Sequence, residues 1–353
     1  METPARPYSA EPVPKTEPAQ PSLFAELAEP LASESSRRAR AELVLPAPPR
    51  PELVELAAAL PARVRLGTMS WSYPGWRGVV YAADADVKKL AKGGLHAYAQ
   101  NPLLTAVEID RTYYEPVPSE ALRAYAGQVP ASFRFVVKAH EACVLQRFPM
   151  LPRYGKRRGE QNPLYLDAAY AAESVVLPAL AALGEKLGVL VFQFPPEDVG
   201  GGGAFARRLG EFLQRLPPGV VYAVELRRRE LFGPEYAAAL VAGGAVHCHN
   251  VWGDMPSVSA QARHLPAATR RPLLVRWLMR RGESYQSAGE RYLPFDHLVE
   301  EDEPNREDIA RLVSRAAEHD VPAFVMLDNK AEGCAPETAV RLARAVVRTI
   351  VSR

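Results

Sequence analysis

The chain has 353 residues, enough for one large domain or two modest ones with ample material for a core. Hydrophobic residues make up 48% and charged residues 24%, and 43 Lys and Arg against 41 Asp and Glu leave a net charge of +2, which argues against nucleic-acid binding driven by overall charge. Cys143, Cys248 and Cys334 are odd in number, far apart and in no metal spacing, so a disulfide framework is not expected and a reducing compartment fits. No apolar run approaches the ~20 residues of a membrane span. The start, Met1–Pro4, lacks the basic and apolar parts of a secretion signal. A cytoplasmic globular protein, with no membrane partner and monomeric or weakly oligomeric, is the expectation.

In chain order, residues 1–60 read as a Pro-rich extension. Met1–Gln20 carries Pro4, Pro7, Pro12, Pro14 and Pro18 with hardly any apolar side chains, too little to offset the entropy of ordering, and reads as disordered. A short amphipathic helix is expected over 23–44, interrupted near Pro30, and Pro46, Pro48, Pro49 and Pro51 then read as a stiff linker. From residue 61 to 353 the texture changes. Eight apolar runs suit buried strands: Val64–Trp71, Ala106–Tyr114, Phe133–His140, Val189–Phe194, Val221–Leu226, Ala245–Val251, Leu273–Met279 and Ala323–Leu327. Helical patterns lie between them at Glu120–Ala126, Asp167–Leu183, Ala204–Leu216, Pro234–Val241, Asn305–Ala317 and Pro336–Val351. The alternation predicts βαβ units, and eight of them predict a single closed (β/α)₈ barrel of the α/β class. A doubly wound open sheet is the rival, but neither the Rossmann nor the P-loop pattern is present, and Gly200–Gly203 reads as a flexible turn.

Barrels of this kind do their chemistry at the carboxyl ends of the strands. Nearly every run ends in polar or ionisable residues: Glu108 and Asp110, Lys138 and His140, Gln193, Glu225 and Arg227, His247 and His249, Arg276, and Asp328 with Asn329. Because buried charge is costly unless paired, this clustering predicts one polar pocket at one rim. Glu108 and Glu225, with Lys138, are the acid–base candidates. A glycosidase-like carboxylate pair is a further reading of the two glutamates. Lys138, Arg227 and Arg276 are expected to hold a phosphate or carboxylate. His247 and His249, two apart on a strand, share a face and offer a divalent metal site as a lesser reading; no cofactor is expected. Trp71, Tyr73 and Trp76 crowd the first loop and read as a pocket wall, with Tyr113 beside them. The segment after the third run carries Arg147, Arg153, Lys156, Arg157 and Arg158 with Phe148 and Tyr154, a pattern suited to nucleic acid if it is not simply a solvated face.

Taken together the motifs resemble the YecE-like family, the domain of unknown function numbered 72. They are Gly67-Thr68-x-Ser70-Trp71-Ser72-Tyr73-x-Gly75-Trp76, Val107-Glu108-Ile109-Asp110-x-Thr112-Tyr113-Tyr114, Phe133-x-Phe135-x-Val137-Lys138 and Leu187-Gly188-x-Leu190-x-Phe192-Gln193-Phe194-Pro195. Val224-Glu225-Leu226-Arg227, Tyr285 with Arg291-Tyr292-x-Pro294-Phe295, and Asp328-Asn329-Lys330-Ala331-Glu332-Gly333 follow in family order. The resemblance implies a TIM-type barrel and marks Glu108, Lys138, Gln193, Glu225, Arg227 and Asn329 as pocket residues; it implies no reaction. Met69, Asp110, Asp328 and Trp277-Leu278 depart from the family pattern, and the two aspartates make the pocket more acidic. The expectation is an enzyme of hydrolase or lyase type acting on a small anionic substrate, the alternative a non-catalytic nucleic-acid- or ligand-binding protein using the loop 147–158.

Overall fold

The computed structural model describes residues 44–48, 50–196, 201–283 and 285–352. The disorder expected over 1–20 concerns residues outside this set, as does the helix expected over 23–44 except for Val44, which is buried. Eight strands form where the apolar runs stand: β1 (Val64–Thr68), β2 (Leu104–Ile109), β3 (Arg134–Lys138), β4 (Leu187–Phe194), β5 (Tyr222–Leu226), β6 (Val246–Val251), β7 (Leu273–Trp277) and β8 (Ala323–Leu327). They pair in parallel in chain order, and β8 returns to β1 to close a barrel. Several strands stop earlier than their apolar runs because the chain then turns, as at Pro74–Trp76 after β1 and Arg111–Tyr113 after β2.

The runs are continuously apolar because both strand faces are covered. Ala106, Val136, Val191, Cys248, Leu274 and Met326 fill the lumen, whereas Leu66, Val107, Phe135, Val137, Val275 and Val325 face the helices. At Gly67 the β1–β2 register shifts, and a Cβ there would lie 2.3 Å from the Ala106 carbonyl oxygen, so this close approach requires glycine.

The helical layer comprises α1 (Pro51–Ala59), α2 (Val87–Tyr98), α3 (Ser119–Ala126), α4 (Ala168–Ala171), α5 (Leu177–Leu183), α6 (Gly202–Gln214), α7 (Pro234–Ala242), α8 (Val258–Arg263), α9 (Tyr285–Tyr292), α10 (Glu303–Glu318) and α11 (Ala335–Val351). A π turn, Ala172–Val176, joins α4 to α5. Asp86, Asp167, Ser257 and Asp302 cap α2, α4, α8 and α10 by accepting from backbone N–H groups of the first turn.

Three local expectations change. Gly202 and Gly203, read as part of a turn, open α6. Pro51, read as linker, opens α1, where a missing N–H costs nothing. Leu53 of α1 is buried, and Glu52 and Arg50 pair with Arg344 and Glu337 of α11, each at 2.9 Å. α2 escapes the sequence reading because Gly93 and Gly94 dilute its pattern, yet its cap and its buried Leu90, Leu95 and Tyr98 define it. No helix of the described residues is long and apolar enough to cross a membrane.

Candidate functional site

Strand alternation turns Glu108 (β2), Lys138 (β3), Gln193 (β4), Glu225 (β5) and Arg276 (β7) into the barrel, one layer above the apolar lumen and at its C-terminal end. Arg276 lies at the centre, 2% exposed. Its Nε and Nη2 donate to the two oxygens of Glu108 at 2.9 and 2.7 Å, its Nη1 to Gln193 Oε1 at 3.1 Å and to Glu225 Oε2, and Nη2 also meets Met69 Sδ at 3.5 Å. These five contacts use every N–H of the guanidinium. The sequence expectation that Arg276 itself grips a substrate anion is thereby corrected: its donors are spent on the protein.

The two glutamates are fully enclosed and differ in their surroundings. Burial raises Glu108 to about 7, the Arg276 charge only partly offsetting it and Asp110 adding to it. Burial also works to raise Glu225, but Arg276 and Arg227 together overcome it and hold the carboxyl at about 2. Two carboxyls on one arginine are thus driven apart in proton affinity.

Above this layer the rim is more open. Lys138 Nζ donates to Asp110 Oδ1 at 2.7 Å and stands 4.1 Å above the Tyr113 ring. Burial lowers the Lys138 pKa, Asp110 opposing and Arg276 and Arg227 assisting. Asp110 is held low, Lys138 outweighing the effect of burial. Arg227 donates to Glu225 Oε1 at 2.9 Å and Gln193 Oε1 at 2.7 Å, and its guanidinium lies 4.0 Å from the Trp252 ring centroid. The side chains of Asp110 and Arg227 are 22% and 13% exposed, against none for Glu108 and Glu225, so they are the accessible members. Thr112 Oγ1 donates within reach of both the Ile109 and Lys138 carbonyls, at 2.7 and 2.6 Å, tying the β2 and β3 ends together.

The sequence gives Trp252 no role and counts Asp110 only as an added acidic group in the pocket, although Asp110 follows Glu108 at strand period and so shares its face. Asn250, also on an inward-facing position, donates to the Leu226 carbonyl at 2.7 Å and keeps a buried Oδ1 without a partner among the described residues.

Other expected members lie elsewhere. Trp71 and Trp76 are core residues rather than a pocket wall: Trp71 Nε1 donates to the Leu90 carbonyl at 3.1 Å with its ring against Tyr125, and Trp76 stacks near Tyr98 and donates to Asn329 Oδ1 at 3.2 Å. Tyr73 packs between Trp76 and Phe295. Asn329 Oδ1 also accepts from the Ala335 N–H at 2.8 Å, so it anchors the start of α11, and Asp328 accepts from the Lys330 N–H at 2.9 Å. His247 and His249 do share a face, but it is the outer one. His247 lies between Tyr236 OH and Gln261, at 2.8 and 2.9 Å, with burial holding its pKa at about 4. His249 contacts the Leu274 carbonyl at 3.3 Å and is depressed by burial and by His247, which removes it from the rim set. Among the described residues no group of three or more His, Cys, Asp and Glu side chains could hold a metal ion.

The basic loop is largely occupied with itself. Arg153 donates to Glu141 at 2.7 Å and to Tyr154 OH at 2.5 Å, Arg157 lies 4.5 Å over Phe148, and Arg158 donates to the Gly155 carbonyl at 2.9 Å. Lys156 is exposed.

A family model described as "Protein of unknown function DUF72" matches residues 65–352. Among solved structures, a DUF72 family protein from Enterococcus faecalis V583 superposes with a TM-score of 0.53 at 17% identity, covering 80% of this chain and 95% of that one. A DUF72 family protein from Thermotoga maritima MSB8 does so with a TM-score of 0.50 at 19% identity, covering 82% and 99%. At such identity these structures support the fold alone. No curated protein matches the chain.

Proposed function

The chain belongs to the DUF72 family, and from that premise and its rim geometry we propose an enzyme of hydrolase or lyase type acting on a small substrate that bears a phosphate or carboxylate. The observation that carries this reading is the pair Glu108 and Glu225 on one buried arginine, with proton affinities driven to opposite sides of the usual carboxylate range. Burial holds the proton affinity of Glu108 up, which makes it the candidate donor, while Glu225, held down by Arg276 and Arg227, stays ionised and fixes the electrostatics around Arg276. Lys138, with its pKa lowered by burial and its partner Asp110 at the rim, is a proton-transfer group closer to solvent than the two glutamates. Arg227, braced on Trp252, is the cation placed to meet the anionic group, and Arg276 acts as a positioning residue for the two glutamates.

The test is a turnover screen of phosphate- and carboxylate-bearing small molecules with the native protein, Glu108→Gln, Lys138→Met and Arg227→Ala. Turnover is expected to fall by roughly 10²–10⁴ in the first two variants. Arg227→Ala is expected to raise KM. A substrate turned over equally well by Glu108→Gln and Lys138→Met would refute the assignment. The nucleic-acid reading draws less support, since Arg153 and Arg157 are engaged within their own loop.

A further inference from the structure

The opposite, N-terminal mouth of the barrel carries a second concentration of charge. Arg65 on β1 and Arg134 on β3 line a cavity of about 390 Å³ there, joined by Arg63. The rest of its wall is apolar, with Leu187, Val221 and Phe324 prominent, and no carboxylate of the described residues lines it. Phe324 closes it off from the lumen side; Gly188 makes room for that ring, since a Cβ at this position would lie 2.9 Å from it.

The charges here are poorly compensated. Arg63 pairs with Asp320 at 3.0 Å, with both side chains mostly exposed. Arg134 donates to the carbonyls of Ala131 and Phe133 at 2.8 and 2.9 Å and has no acidic partner among the described residues. Arg65, half-buried, has neither a hydrogen bond nor an ion pair among the described residues. Burial, and then the charge of the neighbouring Arg134, push its pKa down: the two guanidinium groups stand close enough to repel each other. The bottom of such a barrel ordinarily contributes to stability. Two like charges aimed into an apolar-walled cavity oppose stability, and an anion placed between them would reverse the sign.

We propose that the N-terminal mouth of the barrel binds a small organic oxyanion, a phosphomonoester or a carboxylate, with its charged head between Arg65 and Arg134 and its apolar part against Phe324. The cavity walls explain why the ligand is small and partly apolar rather than a polymer lying on a surface. This site is independent of the rim chemistry.

Calorimetric titration and thermal unfolding of the whole protein with phenyl phosphate, benzoate and inorganic phosphate, at an ionic strength fixed by sodium chloride, test it. Phenyl phosphate or benzoate is expected to bind and raise Tm, which of them does so separating the two sources of the oxyanion, and inorganic phosphate is expected to bind more weakly than phenyl phosphate. Arg65→Gln and Arg134→Gln should each weaken binding roughly tenfold or more. Arg65→Gln should also unfold at the same or a higher temperature than the native protein without ligand, the reverse of what a structural arginine would show. Binding that survives in the double variant, or is lost in Arg227→Ala at the rim, overturns the proposal, as does the absence of any shift beyond that of chloride. If the variants misfold, phenylglyoxal labelling of the native protein decides: the bound ligand should protect Arg65 and Arg134, and equal labelling with and without it overturns the site.

Discussion

Arg276 and its two glutamates show what a buried charge demands of its neighbours. An arginine enclosed to 2% exposure is tolerable because each N–H has an acceptor, and the glutamates are tolerable because the arginine is there. Arg276→Met is expected to cost about 3–5 kcal/mol of stability, read from urea unfolding, because it strands the buried Glu108 carboxyl without its ion-pair partner and leaves Glu225 to Arg227 alone. The loss should shrink in mild acid, where those carboxyls take up protons. Arg276→Lys should recover only part of it, since an ammonium cannot reproduce the fork that grips both oxygens of Glu108. A Met variant as stable as the native protein would mean that the bridge holds nothing together.

At the scale of elements, α1 shows how a proline can mark a start as readily as a linker. The helix is held by Leu53, buried in the main core, and by surface ion pairs to α11. Burial should outweigh the pairs: Leu53→Ala is expected to cost about 2–3 kcal/mol. Glu52→Ala should cost about 0.5 kcal/mol or less, as half-exposed pairs do. Chemical denaturation of both variants checks the ranking, and equal losses would show that α1 is tethered by charge. The misplacement of Trp71 and Trp76 belongs to this scale too. Aromatics crowded into a loop signal a surface to be covered, and here the surface is the inner side of α2 and α3, not a ligand.

Over the whole molecule the two glutamates give stability opposite slopes with pH. Glu225, at about 2 when folded against ~4.3 when unfolded, contributes stability that is complete above ~4.3 and lost as pH falls toward the folded value. Glu108, at about 7 when folded, does the reverse. Between ~4.3 and that value the folded chain keeps a proton that the unfolded chain has released, so its contribution falls as pH rises through this window. The urea midpoint should therefore carry a decline between pH 5 and pH 7.5 that Glu108→Gln flattens. An unaltered slope in that variant would place the raised proton affinity on another group.

The closed barrel and the presence of charge at the strand ends were legible from the chain alone, because strand length, apolar continuity and the βαβ rhythm are local properties. Which way each strand faces was not, since strands covered on both sides are apolar on both and lose the alternation that would orient them. The packing of each strand set His249 outward and Arg276 inward, and closure of the ring brought to Arg276 partners that lie 168 and 51 residues away in sequence. Partner choice of that kind depends on eight strands meeting in a ring, so it is settled by tertiary structure and by no single segment.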